Sequence, residues 1–175
     1  MGFPKIGFAK RLLVLYGIIF ILVLLVTDWT LSHFLQKRDL QQLQSSLSRQ
    51  STLIREIATP LLKEAPKLQS KVKKLAEGTD LRITIIDPEG AILADSSETS
   101  EALAKMDNHA TRPEVASALR KETGMSIRYS MTVQTKMLYI AIPILEHSQI
   151  LGVVRTAMPI TRVDEILASV RRPVM

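Results

Sequence analysis

Few residues in this sequence are equipped for chemistry, and their spacing narrows the choice further. The three histidines, His33, His109 and His147, are far apart. None has a second His, Asp or Glu at ligand spacing on a helix, so no metal site is expected. Cysteine is absent, which removes disulfides, thiol nucleophiles and cysteine zinc sites together. No Gly-x-Ser-x-Gly, P-loop or HExxH pattern occurs, and the scattered acids do not form a hydrolase pair. No catalytic residue and no cofactor are assigned. Two arginines stand out instead. Arg128 alternates with Ile127 and Tyr129, and Arg155 interrupts the apolar run Gly152-Val153-Val154-Arg155-Thr156-Ala157. Alternate strand residues share a face, so each charge sits at a solvated edge or faces a cavity. Two roles stay open: bidentate pairing with a carboxylate or phosphate ligand, or pairing with Asp87, Asp95 or Asp107 to hold a loop closed.

Length and charge limit what can surround these arginines. The chain has 175 residues, room for one domain and an anchor. Its net charge is +6, but Lys5, Lys10 and Arg11 precede an apolar run and all 17 acids lie at or beyond Asp28. The part after the run is only mildly basic. Lysines 63, 67, 71, 73 and 74 read as the wet side of a helix, with contact to acidic lipid headgroups as the alternative. No aromatic-rich basic stripe appears, so nucleic acid is not an expected partner.

Residues 12–27, LLVLYGIIFILVLLVT, carry no charge. Lys10 and Arg11 can snorkel at one end and Trp29 can sit in the interface at the other, so 12–29 is read as a transmembrane helix. The positive charges before it make 1–11 cytoplasmic and the rest exported. A cleaved signal peptide is the competing reading, but Thr27-Asp28-Trp29-Thr30-Leu31 offers no small-residue cleavage site.

The helical pattern continues over 30–61. Leu40, Leu43, Leu47, Gln50, Ile54, Ile57 and Leu61 recur at spacings of three and four, the seam of a homodimeric coiled coil. The alternative is an amphipathic helix lying on its own domain. Pro60 and Pro66 punctuate the helix. A second amphipathic stretch carries Leu68, Val72, Leu75 and Ala76, with Gly78 as its C-terminal cap. Strands are expected at 81–86 and 91–95 around the turn Asp87-Pro88-Glu89-Gly90, and 96–110 is loop. Thr111 is expected to cap a helix from Arg112 to about Lys121, with Glu114 in its acidic first turn. Strands at 125–132, 136–144 and 150–158 and an amphipathic helix through Ile160, Val163, Ile166, Leu167 and Val170 complete the chain. The fold class is α+β: a five-stranded antiparallel sheet at 62–159 with helices on one face, followed by 160–175 leading towards a second membrane helix.

That order resembles the extracytoplasmic PAS-like or Cache-like sensor domains of bacterial receptors. RITIIDPEGAILADS at 82–96 looks like the opening hairpin of such domains. Asn108-His109-Ala110-Thr111-Arg112-Pro113-Glu114-Val115 resembles the NH-x-x-RPEV segment of sensor kinases of the phosphate-regulon type. Residues 126–130, 137–143 and 152–155 are similar to the later strands of that family. The resemblance implies a ligand cavity between the sheet and the loop and helix crossing it, near Asn108, His109, Arg112, Arg128, Tyr139 and Arg155. Asn108 and His109 have a second reading, as caps of the helix at Arg112.

The resemblance implies the signal-input half of a two-component sensor histidine kinase in the inner membrane. Its partners would be the membrane, a second copy of itself, and a small anion or an extracytoplasmic protein. A second membrane helix, a HAMP linker, a phosphoacceptor helix and an ATP-binding domain do not follow, so this chain is expected not to be an enzyme. Alanine after His109 departs from the phosphoacceptor motif, and His109 is not given that role. The alternatives are the input module of a chemoreceptor or cyclic-nucleotide-signalling enzyme, or a self-contained anchored binding protein.

Overall fold

The structure, a computed structural model, describes residues 7–130 and 134–160. The helix expected over 160–172 and the end of the strand expected to reach 132 therefore lie outside the described residues. The chain divides into two compact units, Met1–Gln42 and Leu43–Met175.

The first unit holds most of helix α1 (Phe8–Ala58). Its segment Lys10–Phe34 has 25 residues, a mean hydropathy of 2.5 and no buried position. At 1.5 Å per residue it is about 37 Å long, enough for the ~30 Å hydrocarbon layer of a membrane. Thr27 and Thr30 donate their hydroxyls to the carbonyls of Val23 and Val26, so their polar atoms are satisfied inside the helix. Trp29 stacks on His33 with ring centroids 5.4 Å apart.

In the second unit the tail of α1 carries Leu47, Ser51, Ile54 and Ala58, one face of a helix by spacing, and all four are buried. Pro60 enters a short 3-10 turn, Thr59–Leu61, and α1 ends there. Helix α2 (Ala65–Ala76) opens with Pro66 in its first turn and buries Leu68, Gln69 and Val72. Beyond its C-terminus Gly78 takes a φ of +71°, a left-handed stop that suits glycine.

Strands β1 (Arg82–Ile86) and β2 (Ile92–Asp95) form the first hairpin. Asp87 shapes its turn: Oδ1 accepts from Ala91 N at 2.7 Å and its carbonyl accepts from Gly90 N at 3.1 Å. Residues 96–110 are mostly loop, with one helical turn, α3 (Ser100–Leu103), capped by Thr99. Helix α4 (Pro113–Ala118) is shorter than expected. The chain turns at Arg120 and Lys121, where φ reaches +69°. Its N-cap residue is Arg112, with no side-chain cap bond, so Thr111 is not the cap. Strands β3 (Gly124–Ser130), β4 (Thr135–Glu146) and β5 (Gln149–Pro159) close the sheet. The order is β2-β1-β5-β4-β3, antiparallel throughout. Pro143 lies in β4 beyond the last pair with β3, Gly124↔Ala141, so one side of it has no strand to bond.

The alternation of β1, β4 and β5 gives the sheet two unlike faces. On one, Ile83, Ile85, Leu138, Ile140, Ile142, Ile144 and Val154 form a single core with Leu47, Ile54, Ala58, Leu68 and Val72. On the other, Ile86, Ala141 and Val153 pack with Val115 and Ala118 of α4. Helices α1 and α2 thus cover one face as expected, while the short α4 lies on the opposite one.

This packing corrects the expected dimer seam. Leu47 and Ile54 are buried in the chain's own core, and Leu43 and Leu61 pack against it. The apolar face of the sheet needs a cover, and burying it within the chain takes precedence over saving the stripe for a second copy. Of the other expected seam residues, Leu40, Gln50 and Ile57 are half-buried. The compact unit accordingly starts at Leu43 and not at residue 62.

Candidate functional site

The second face of the sheet carries the polar chemistry. On β3, residues 126, 128 and 130 alternate with 125, 127 and 129, which places Arg128 on the opposite side from the exposed Met125, Ile127 and Tyr129. On β5, Arg155 lies between Val154 and Thr156, which face the other way. Tyr139 of β4 lies between them in the register, paired with Ser126 on β3 and Ala157 on β5. Both guanidinium carbons sit 4.3 Å from the Tyr139 ring centroid, at cation–π distance.

The arginines share one carboxylate. Arg128 Nη2 and Arg155 Nε each donate to Glu114 Oε1 at 2.9 Å, and Ser126 Oγ donates to Oε2 at 2.6 Å. Glu114 is fully buried, and the arginine side chains are 28% and 6% exposed respectively. The carboxyl lies below the usual carboxylate range. Burial, the largest influence, pushes it up, but the bonds from Ser126 and its helix backbone and the attraction of Arg155 together outweigh burial. Burial also loosens the hold of Arg155 on its proton, and Glu114 counters it. A guanidinium so placed stays charged. Glu114 is held there by close backbone approach. A Cβ on Gly124 would overlap the Glu114 carbonyl, so only glycine lets β3 pass under the start of α4.

A cavity of about 390 Å³ opens against this face. Arg128, Tyr139 and Arg155 line its sheet side, and Met106, His109 and Arg112 line its loop side. Five of the six residues expected near a ligand cavity therefore surround one. His109 is mostly buried with Nδ1 2.8 Å from the Asp107 carbonyl. Burial, aided by the nearby arginines, holds its pKa below the ordinary histidine value against that bond. Asn108 does not line the cavity. Its Nδ2 donates to the Glu89 carbonyl and its Oδ1 accepts from Ala110 N, both at 2.8 Å. It clamps the loop to the first hairpin, where a Cβ on Gly90 would strike it.

Two further groups were not anticipated. Arg82 of β1 lines the cavity and pairs with Asp95 at 3.1 Å and Glu98 at 3.6 Å. The buried Asp95 also accepts from Thr84 Oγ1 at 2.7 Å and Ser97 N at 2.8 Å. Gln69 of α2 pins edge strand β2 from the other side, donating to the Asp95 carbonyl at 3.0 Å and accepting from Asp95 N at 2.9 Å. Of the three acids expected for Arg128 and Arg155, Asp87 shapes its turn and Asp95 serves Arg82; the partner found is Glu114. Among the described residues, no group of three or more His, Cys, Asp or Glu is placed to hold a metal ion.

No protein-family model matches the sequence, and no curated protein matches it. Solved structures do match in fold. The ligand-binding domain of a Campylobacter jejuni chemoreceptor, in complex with 4-methylisoleucine, aligns over 74% of this chain and 56% of its own, with a TM-score of 0.58 and 13% identity. The domain of a sensory box/GGDEF family protein from Vibrio parahaemolyticus aligns over 74% and 58%, with a TM-score of 0.57 and 14% identity. The sensor domain of the V. cholerae histidine kinase DctB aligns over 71% and 57%, with a TM-score of 0.50 and 18% identity. The chain spans little more than half the length of each. The long N-terminal helix, the five-stranded order and these likenesses agree that the chain has the fold of PAS/Cache-like sensor domains.

Proposed function

We propose that this chain is the input module of a membrane-bound sensor histidine kinase, that it takes a small anion into the cavity, and that it carries no catalytic step itself. The observation that supports the ligand most is the pair of arginines on Tyr139. Two guanidinium groups share one carboxylate, so their cluster keeps a positive charge beside an open cavity. Arg112 and His109 stand across from them as additional donors. The fold is shared by sensor domains of a histidine kinase and of chemoreceptors, so a chemoreceptor input module is the neighbouring alternative.

The apolar segment Lys10–Phe34 supports anchoring, and Lys5, Lys10 and Arg11, which precede its uncharged run 12–27, support a cytoplasmic N-terminus with the sensor unit outside. A reporter enzyme active only outside the cytoplasm, fused after Met175, should be active and membrane-bound; a shortened soluble product would contradict the anchor. A homodimer would use a different stripe from the buried one. Gln50, Leu53 and Ile57 are displaced by one residue, about 100° round the helix, and Leu53 is 65% exposed. Cysteine at Leu53 should cross-link two copies, and absence of that product would remove the dimer.

A route for the signal runs across one strand. Arg155 faces the cavity, and its neighbour Thr156 meets α1 on the other face. Ser51 Oγ donates to the Leu47 carbonyl at 2.8 Å, so at the 2.7 Å contact Thr156 is the donor and Ser51 accepts. A ligand that moves Arg155 would shift the packing of α1 through this bond, the two-state element that transmission needs.

A further inference from the structure

We propose that Glu114 sets the charge of the ligand, acting as a built-in counter-anion that leaves the cavity floor one positive charge and so favours a single carboxylate over a dianion. The inference rests on the anion reading above and deepens it. Arg128 and Arg155 converge on one oxygen of Glu114, and Ser126 occupies the other. The carboxylate is fully buried, so solvent does not dilute its charge. Two cations against one anion leave a single unit of positive charge. The other charged groups around the cavity add none in sum, because the cations Arg82, Lys105 and Arg112 are matched in number by Glu98 and Asp107 of the lining and by Asp95 beside Arg82.

Donors remain for an incoming oxygen. Arg128 Nε is buried with no partner. Glu114 takes only Nε of Arg155, and among the described residues nothing accepts from its two Nη groups. A guanidinium offers five N–H bonds in a fixed fork, so each can serve Glu114 and a ligand together. One ligand carboxylate completes the charge balance. A second negative charge would leave the cavity and its lining one charge negative in sum.

The test uses two probes of nearly equal size and different charge, succinate and its monoamide, succinamate. Each is titrated at fixed ionic strength and neutral pH against the full chain in detergent micelles. Wild type should bind succinamate at least as tightly as succinate. Glu114→Gln raises the floor by one charge and should move the affinity ratio towards succinate by about tenfold. The double variant Glu114→Gln/Arg128→Gln removes one anion and one cation, and its ratio should return to that of wild type. It also gives the readout if the single variant does not fold. A ratio unchanged in Glu114→Gln while both probes still bind, or one not restored in the double variant, overturns the role of Glu114. No binding of either probe to any of these proteins overturns the anion reading itself, and this inference with it.

Discussion

The two faces of one sheet do different work with the same strands. On β4, Leu138, Ile140, Ile142 and Ile144 point into a dry core, while Tyr139, one residue away, carries two guanidinium groups. On β5, Val154 joins the core and Arg155 joins the carboxylate cluster. The apolar face is held by area, which is forgiving of which residue supplies it. The polar face is held by a few directed bonds to Glu114 and Asp95, each of which leaves a buried charge when lost. Stability is thus concentrated on the side of α1 and α2, and the proposed ligand response on the side of α4.

The contrast breaks first on the apolar face. Leu47→Ala should cost about 3 kcal/mol in denaturant unfolding, because a fully buried side chain leaves a cavity. Leu53→Ala, two turns along on the same helix but exposed, should stay within about 0.5 kcal/mol. On the polar face Arg155→Ala should cost about 2 kcal/mol, since Glu114 keeps Arg128 and Ser126 but loses its more buried partner. Arg128→Ala should cost less, about 1 kcal/mol, because that side chain is partly solvated. Equal costs for the two arginines would mean that burial does not rank them.

A smaller effect links the faces. Thr156→Val removes one buried hydrogen bond to Ser51, worth about 1 kcal/mol, while Ser51 keeps its bond to Leu47. Coupling is reciprocal, so if this bond carries the signal its loss should also change anion affinity. Unchanged affinity would mean that the bond carries no signal from the cavity.

The pH dependence sharpens the same division, because the two shifted groups around the cavity that titrate in the acid to neutral range, His109 and Glu114, lie on the polar side of the sheet. His109 is held below its ordinary pKa of 6.5 chiefly by burial. The unfolded chain therefore binds a proton that the folded chain refuses, and stability falls as pH drops from that value towards the folded pKa. His109→Asn should flatten this slope. Glu114 is also held low, so its contribution is full above the ordinary carboxylate value of 4.5 and is lost as pH falls through the folded pKa. Glu114→Gln should abolish that acid limb and leave the histidine limb intact.

Much of this fold is legible from period and punctuation. Alternation marks the five strands, Asp87 to Gly90 marks the first turn, and Pro66 with Gly78 brackets α2. What periodicity does not say is what an apolar stripe packs against. The spacings of Leu43, Leu47 and Ile54 fit a partner helix and a sheet face alike, and the choice depends on how much bare sheet the chain must cover. The site is legible as far as its cations, because arginine in an apolar strand is anomalous from local pattern alone. Glu114 is not, since an acid in the first turn of a helix already has a local explanation. Its one non-local trace is Gly124, whose missing side chain makes room for the Glu114 backbone, and that pairing emerges only with the strand register.

The central claim is that Arg128 and Arg155 hold a small anion. The most direct measurement is thermal unfolding of the full chain in detergent with acetate, succinate, succinamate and inorganic phosphate, for wild type and Arg128→Gln. At about a hundred times its dissociation constant a bound anion adds about 2.7 kcal/mol. The account predicts that at least one of the four raises the wild-type midpoint, and that Arg128→Gln loses the gain while its unliganded midpoint falls only by the few degrees that about 1 kcal/mol allows. No shift with any of the four, or a shift that survives in Arg128→Gln, would contradict it.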